Sequence, residues 1–470
     1  MKDTFYITTT IPYVNAEPHI GFALEVVQAD TIARFNRSKG KEVIFNTGTD
    51  EHGLKIYQKA QEEGKDPQKY CDEFAEKFKK LKTVLNLSYT NFIRTTDDYH
   101  KKAAQEFWNR CNKNGDIYKK MYKMKYCIGC ELEKTDSDLV DGKCPLHPTK
   151  ELLSVDEENY FFRFSRYTDK LLALYKNNPD FIVPDYRLKE IQSFVEKGLQ
   201  DFSISRLKSK LTWGVDVPGD PNHVMYVWFD ALVNYISTLS WPQKENIFKD
   251  YWPGMQIAGK DNLRQQSAIW QAMLMSAGLP PTRQILIHGF ITAEGKKISK
   301  SLGNVISPVD LVIKYGTDAV RYYLLREIPP FDDGDFSFAR MEELYNTDLA
   351  NELGNLIMRL TTLAEKDELI IGAPSVEKDT QLDAMFENFQ FNLVLEHIGK
   401  RIKKLNKTID EFAPWKKTKD ERKDFLVQSL QELHHIGQKL EPCIPHTAKV
   451  ILASSVGTIH KIKPLFKKHS

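Results

Sequence analysis

The sequence lacks any apolar run of transmembrane length, any internal repeat and any low-complexity segment. The first absence excludes a helical membrane span. The other two leave a chain of ordinary globular segments. Cysteine is scarce, with six in 470 residues. Cys127, Cys130 and Cys144 cluster, whereas Cys71, Cys111 and Cys443 are scattered. That distribution is not a disulfide framework; it fits a reducing compartment, and the expected location is the cytoplasm. Met1 to Thr4 lead almost directly into the first apolar run, so no secretory signal is expected. A Walker P-loop is also missing. Gly289 and Gly295 are separated by five residues rather than four, and Lys296 is followed by lysine rather than serine or threonine.

What is present is the composition of a folded protein, 41% hydrophobic and 28% charged. The length predicts about two to four domains and a large core. The net charge of +2 is small, but its distribution is uneven. From Glu396 to Ser470 there are 16 Lys and Arg against 8 Asp and Glu, while the rest of the chain is net −6. A basic C-terminal part suits a polyanionic partner, and equally a solvated helical surface.

Residues 5–9 read as a buried strand. They run through Ile11-Pro12-Tyr13-Val14-Asn15-Ala16-Glu17-Pro18 into a periodic helical stretch that starts at His19 and ends near Lys39. Such a strand–loop–helix unit favours an anion at the helix N-terminus. His19 and Phe22 share one face of the first turn, with Gly21 between them; the plain alternative is a capping or surface histidine. Residues 43–47 read as a second strand running into Gly48-Thr49-Asp50-Glu51-His52-Gly53, a polar loop where open α/β sheets bind ligands. Helices are predicted at 54–63, 67–85 and 97–113. The alternation argues for a doubly wound parallel sheet.

The pattern breaks near Gly115. Cys127-Ile128-Gly129-Cys130 is followed by Cys144-Pro145-Leu146-His147. Two such pairs suit a closed tetrahedral Cys3His zinc site of structural type. Strands are then predicted at 223–229, ending at Asp230, and at 256–258 and 285–287, together completing the sheet. Helical runs are predicted at 231–239 and from Gly259-Lys260-Asp261 to Ala277. Lys296-Lys297-Ile298-Ser299-Lys300-Ser301 makes a cationic loop suited to phosphates, or simply an exposed basic loop. Long amphipathic helices follow at 338–363, 381–408 and 420–440, with a last one after Pro445, which is a helical bundle.

These landmarks together resemble the methionyl-tRNA synthetase family of class I aminoacyl-tRNA synthetases, in order and over essentially the whole chain. Pro18-His19-Ile20-Gly21 resembles the start of the His-x-Gly-His signature, and Lys297-Ile298-Ser299-Lys300-Ser301 resembles the Lys-Met-Ser-Lys-Ser loop. Residues 47–53 and Tyr226-Val227-Trp228-Phe229-Asp230-Ala231 are similar to blocks particular to the methionine enzymes. The cysteine pairs resemble the branch with one zinc knuckle. Asn351 to Arg359 and Pro414-Trp415 resemble anticodon-reading positions.

The resemblance implies a Rossmann-like doubly wound parallel sheet, split by a zinc-knuckle insertion and followed by an all-α anticodon-binding bundle. The implied domains are 1–115 and 223–292 for the catalytic sheet, 116–222 for the insertion, 293–337 for the signature loop and stem-contact region, and 338–470 for the bundle. It implies ATP-dependent activation of L-methionine to methionyl-adenylate, with Mg2+ accompanying ATP, and transfer to tRNA(Met). His19, Lys297 and Lys300 would be catalytic. Gly21, Phe22, Glu25, Gly259, Asp261 and Ser299 would join them around ATP. Ile11, Tyr13, Asp50, Trp228, Tyr235, Gln266 and Trp270 would hold methionine, with Asp50 on its ammonium and the aromatics around its polarizable sulfur. Asn355, Arg359 and Trp415 would read the anticodon. Cys127, Cys130, Cys144 and His147 would hold one zinc. The chain ends after the bundle, without the further C-terminal domain of some members, so a monomer is expected.

Two positions depart from the family pattern. Phe22 stands where the second signature histidine is usual, and Gln266 stands for a pocket histidine. These departures leave open a catalytically weakened paralogue that binds tRNA or methionine-like ligands. They also leave open a ligase with altered substrate or inhibitor sensitivity.

Overall fold

The first strand, β1 (Thr4–Thr9), is β-branched and aromatic, and five of its six residues are buried. A strand covered on both faces belongs inside a parallel sheet, and that is its place. The structure, a computed structural model, describes residues 3–129, 132–134, 139–297, 304–375 and 377–468, with backbone alone for 122–124, 132–133, 155–157 and 297. The other strands of the main sheet are β2 (Glu42–Thr49), β3 (Asn91–Arg94), β4 (Ile182–Val183), β5 (Met255–Gly259) and β6 (Gln284–His288). Their spatial order is β3-β2-β1-β5-β6-β4. The pairs β1–β2, β2–β3, β1–β5 and β6–β4 are parallel, with Ile7 opposite both Phe45 and Met255. The order reverses at β1, between β2 and β5, and a ligand crevice forms at the carboxyl ends of such a switch point.

The chain divides into two compact units. One comprises Met1–Pro18, Gly40–Lys80 and Tyr89–Ile287; the other comprises His19–Lys39, Leu81–Ser88 and His288–Ser470. In the first unit one large core gathers Phe107, Trp108, Phe229, Tyr235, Trp241 and Trp270. A long antiparallel hairpin, Ile117–Cys127 with Leu152–Phe162, pairs from Ile117–Phe162 to Cys127–Leu152 and carries the cysteine cluster at its far end.

Three expectations are corrected in these elements. The strand expected at 223–229 is Asp220–Met225, and Val227–Ala231 is helical, so Asp230 lies in a helix rather than at a strand end. That strand does not complete the main sheet. It pairs antiparallel with Ser205–Leu207 in a separate three-stranded sheet, while Ile182–Val183, from within the expected insertion, takes the edge beside β6. The aromatic and β-branched composition of 223–229 misleads, because β-propensity reports fit to a half-buried surface rather than backbone preference. Finally, the helix expected at 381–408 is two, Thr380–Glu387 and Phe391–Phe412. Phe389 between them adopts φ 58°, which a helix does not allow.

In the second unit the helix Ile20–Ser38 is buried along most of its length. The helix expected at 338–363 contains a π-helical stretch, Tyr345–Gly354, directly before Asn355–Lys366. Lys419–Leu440 starts with a capping box from Thr418 and Glu421. Among the described residues no helix is long and apolar enough to cross a membrane.

Candidate active site

In the first unit the loop after β1 returns along the end of β2. Asp50 N–H donates to Pro12 O at 2.9 Å, Val14 N–H donates to Asp50 O at 3.3 Å, and Tyr13 and Asp50 form a parallel bridge. Asp50 is buried, and Tyr13 meets the edge of Trp228 with ring centres 6.3 Å apart. Ile11 is half-buried two residues before Tyr13. Further along, Gln266 Nε2 donates to the Tyr235 hydroxyl at 2.6 Å, and the Tyr235 and Trp270 rings meet edge-on at 5.8 Å. Gln266 lies in a π-helical turn, Gln265–Ile269, a distortion often found at functional sites. Trp270 is fully buried and stacks on Phe107, so it is core as much as wall. Trp228 packs on the same core. The structure therefore gathers Tyr13, Asp50 and Trp228 in one group and Tyr235, Gln266 and Trp270 in another. Three buried polar atoms in these groups, Trp228 Nε1, Gln266 Oε1 and Trp270 Nε1, have no hydrogen-bond partner among the described residues. Gly259 is buried at the end of β5, and Asp261 is exposed in the turn after it, next to Asn262.

The residues flanking Asp50 were not foreseen as functional. Glu51 is fully buried and takes both arms of Arg94, at 2.7 and 2.8 Å, with hydroxyls from Thr49 and Thr96. His52 Nδ1 lies 2.5 Å from Asp230 Oδ2, and His100 Nε2 lies 2.8 Å from Asp230 Oδ1. His100 Nδ1 is 2.9 Å from the Ser237 hydroxyl. Burial alone would push the Asp230 carboxyl up. The charge of His52 and the hydrogen bonds of both imidazoles outweigh that and bring it down to about 2. One signal was available in the sequence: His100 occupies the apolar stripe continued by Ala103, Ala104, Phe107 and Cys111.

The second unit holds the first signature residue. His19 is the N-cap of Ile20–Ser38, and its Nδ1 accepts the Gly21 N–H at 3.1 Å. An accepting Nδ1 leaves the proton on Nε2, as a donor. Desolvation by the surrounding chain lowers its pKa, although the residue remains exposed at the surface. At Gly21 a Cβ would stand 2.9 Å from His19 Cε1, so a larger residue there would displace the exposed His19 ring. Phe22 is half-buried. Glu25 is buried against His288 at 3.0 Å, and His288 Nδ1 donates to Gly289 O at 2.7 Å. Lys296–Lys297 is a short strand antiparallel to Ile291–Ala293, turned through Glu294 and Gly295, both at positive φ. The Lys297 side chain, Ser299, Lys300 and Ser301 lie outside the described residues. In the bundle, Asn355 and Arg359 stand one turn apart on one helix face. Arg359 lies 5.1 Å from the Trp415 ring centre and pairs with Asp410 at 2.5 Å, and Trp415 is 49% exposed.

At the end of the long hairpin the ligand atoms of Cys127, Cys144 and His147 lie within 4.8 Å of one another. The two sulfurs stand 3.9 and 4.0 Å from His147 Nδ1. Tetrahedral zinc bonds of about 2.3 Å to sulfur and about 2.1 Å to nitrogen put such donors roughly 3.6 Å apart, so the cluster fits. Gly129 closes over the imidazole so tightly that a Cβ would meet it at 2.4 Å. Cys130 lies outside the described residues.

The family model for class I tRNA synthetases (M) matches residues 5–153 and 150–361. The methionine–tRNA ligase of Caldanaerobacter subterraneus subsp. tengcongensis is 43% identical, over 96% of this chain and 73% of its own length. That of Nostoc sp. is 42% identical, over 96% of this chain and 89% of its own. The Mycobacterium tuberculosis methionyl-tRNA synthetase in complex with methionyl-adenylate superposes with a TM-score of 0.89 at 38% identity, covering 97% of this chain and 94% of that one. These likenesses span both units, and the chain belongs to the methionine–tRNA ligases, class I tRNA synthetases of the methionine type.

Proposed function

We propose that the protein activates methionine with ATP and transfers the methionyl group to tRNA(Met). In the first step a methionine carboxylate oxygen attacks the α-phosphorus of Mg2+-bound ATP and pyrophosphate leaves. In the second a hydroxyl of the 3′-terminal ribose attacks the adenylate carbonyl and AMP leaves. The observation that carries the reading is buried Asp50, bridged to Tyr13 beside Trp228. A carboxylate next to aromatic rings suits an ammonium on an amino acid with an apolar, polarizable side chain.

The work asked of the protein is positioning and charge stabilisation at a phosphoryl centre. Ile11, Tyr13, Trp228, Tyr235 and Trp270 are proposed to enclose the thioether, and Gln266 to hold the Tyr235 hydroxyl. His19 Nε2–H is the proposed donor to the phosphates, since Nδ1 is committed to Gly21. Lys297, Ser299 and Lys300 are proposed to grip pyrophosphate. Gly21, Phe22, Glu25, Gly259 and Asp261 are proposed around the nucleoside, and Asn355, Arg359 and Trp415 at the anticodon.

Methionine-dependent exchange of pyrophosphate into ATP tests the reading. Exchange that requires methionine is expected. Its absence, with tRNA binding retained, would favour the weakened paralogue, for which Phe22 is the one specific observation.

Cys127, Cys130, Cys144 and His147 are proposed to hold one structural zinc, which would fix the end of a hairpin that has little core of its own. The protein is further proposed to be a cytosolic monomer. Native mass spectrometry of protein purified without chelator is expected to give a single chain carrying about one zinc. A metal-free chain, or a dimer, would overturn the respective statement.

A further inference from the structure

The buried cluster of His52, Asp230, His100 and Ser237 lies outside every role assigned above. All four residues belong to the first unit and all are buried. Their place in the chain is informative. His52 stands two residues after Asp50, in the loop that ends β2. Asp230 stands two residues after Trp228, in the five-residue helix Val227–Ala231. The two residues proposed to face opposite ends of the amino acid, its ammonium and its thioether, are thus each adjacent to one partner of a buried contact at 2.5 Å.

The second oxygen of Asp230 runs to His100, on the helix Asp98–Lys113, whose other nitrogen meets Ser237. The carboxylate is therefore engaged on both sides and cannot turn without losing an imidazole. Trp213 meets His52 edge-on at 5.5 Å, and its own Nε1 donates to Glu51 O. Burying such a carboxylate costs more than packing apolar groups in its place, so a role in specifying geometry is the more economical account of it. A second observation concerns Trp228 itself. Trp228 Nε1 is a buried donor with no acceptor among the described residues, and such a group is normally satisfied.

We propose that His52, Asp230, His100 and Ser237 form a positioning network that holds the Asp50 loop and the Trp228 helix in register, and so sets the affinity for methionine. None of the four touches substrate in this account. They act through Asp50 and Trp228, as partners behind a binding residue commonly do. The inference rests on the methionine-binding role proposed above.

The test is Asp230→Asn in the full chain, with His52→Gln as a second variant that leaves the Asp230–His100 contact in place. KM for methionine and for ATP are measured separately in pyrophosphate exchange, and methionine affinity is measured directly by calorimetry. Both variants are expected to raise KM and Kd for methionine by about tenfold or more, with KM for ATP within about twofold. A general loss of structure would move both substrates together, so equal shifts for methionine and ATP overturn the proposal. Unchanged methionine binding in either folded variant overturns it as well. If the unmodified protein binds methionine but supports no exchange, the activation reading fails while calorimetry still decides this one. If it binds no methionine, both fail.

Discussion

Replacing Phe22 by histidine is expected to raise the rate of methionine-dependent pyrophosphate exchange by about 10²–10³-fold, the usual effect of one donor aimed at developing charge. His19 is the donor already in place. Its Nδ1 caps the helix through Gly21, so the ring offers one donor, Nε2–H, and no more. Phe22 follows three residues later in the first turn and is half-buried, so a histidine fits its volume and face. A phenyl ring donates nothing to a phosphate oxygen, whereas an imidazole there adds a second N–H beside the positive end of the helix. The gain belongs in kcat, with little change in KM for methionine, because the donor acts on charge that develops in the transition state. An unchanged rate in a folded Phe22→His protein would mean that this chain stabilises the phosphoryl centre without a donor at that position.

The second large effect concerns stability. Arg321 is fully buried in the second unit and makes four contacts: Asp30 at 2.8 Å, Cys443 O at 2.7 Å, Leu85 O at 3.0 Å and Pro442 O at 3.2 Å. Asp30 is equally buried and also receives Arg34 and the Ser88 N–H and hydroxyl. One guanidinium thus ties together four separate stretches of chain. Burial pushes the Asp30 carboxyl up, but Arg321, Arg34 and Ser88 more than reverse this and leave its pKa below the ordinary carboxylate value. Arg321→Met keeps much of the volume, strips Asp30 of one cation and orphans three carbonyls. It is expected to cost about 3–5 kcal/mol in urea melts of the full protein at neutral pH. Arg321→Lys should recover only part, since an ammonium cannot reproduce the fork that spans three carbonyls and a carboxylate.

The pH dependence of this loss has a definite sign. The folded pKa of Asp30 is depressed, so its contribution is present above the unfolded value and is lost as pH falls through the folded one. The gap between wild type and Arg321→Met is therefore expected to narrow in strongly acidic buffer. A neutral-pH difference of under about 1 kcal/mol would mean that the pair contributes no more than an exposed ion pair.

Much of this was legible in the chain. The buried run at 5–9, the polar end of the second strand and the alternation around them predicted a parallel sheet, because side-chain period and β-branching act within a few residues. The cysteine and histidine pairs were legible for a similar reason, since two candidate ligands within one tight turn are a local feature. Cys127, Cys144 and His147 do converge. The misreadings occurred where local preference and packing disagree. The Tyr226–Phe229 run has strand composition, yet from Val227 it enters the short helix Val227–Ala231, whose Phe229 is buried against Phe107 and Trp108. The edge strand Ile182–Val183 is only two residues long and carries too little periodicity to detect.

By itself, then, the sequence determined the class of fold and the family, and it offered candidate residues for amino acid, nucleotide and metal. The tertiary structure alone decided which of those residues meet. His52, His100 and Asp230 are separated by 48 and 130 positions and share one buried carboxylate. Asp30 and Arg321 form their pair across nearly 300 positions. No periodicity connects such distances. Each pair exists because a charge taken out of water must be matched where the chain folds, and only the packed chain says what lies beside it.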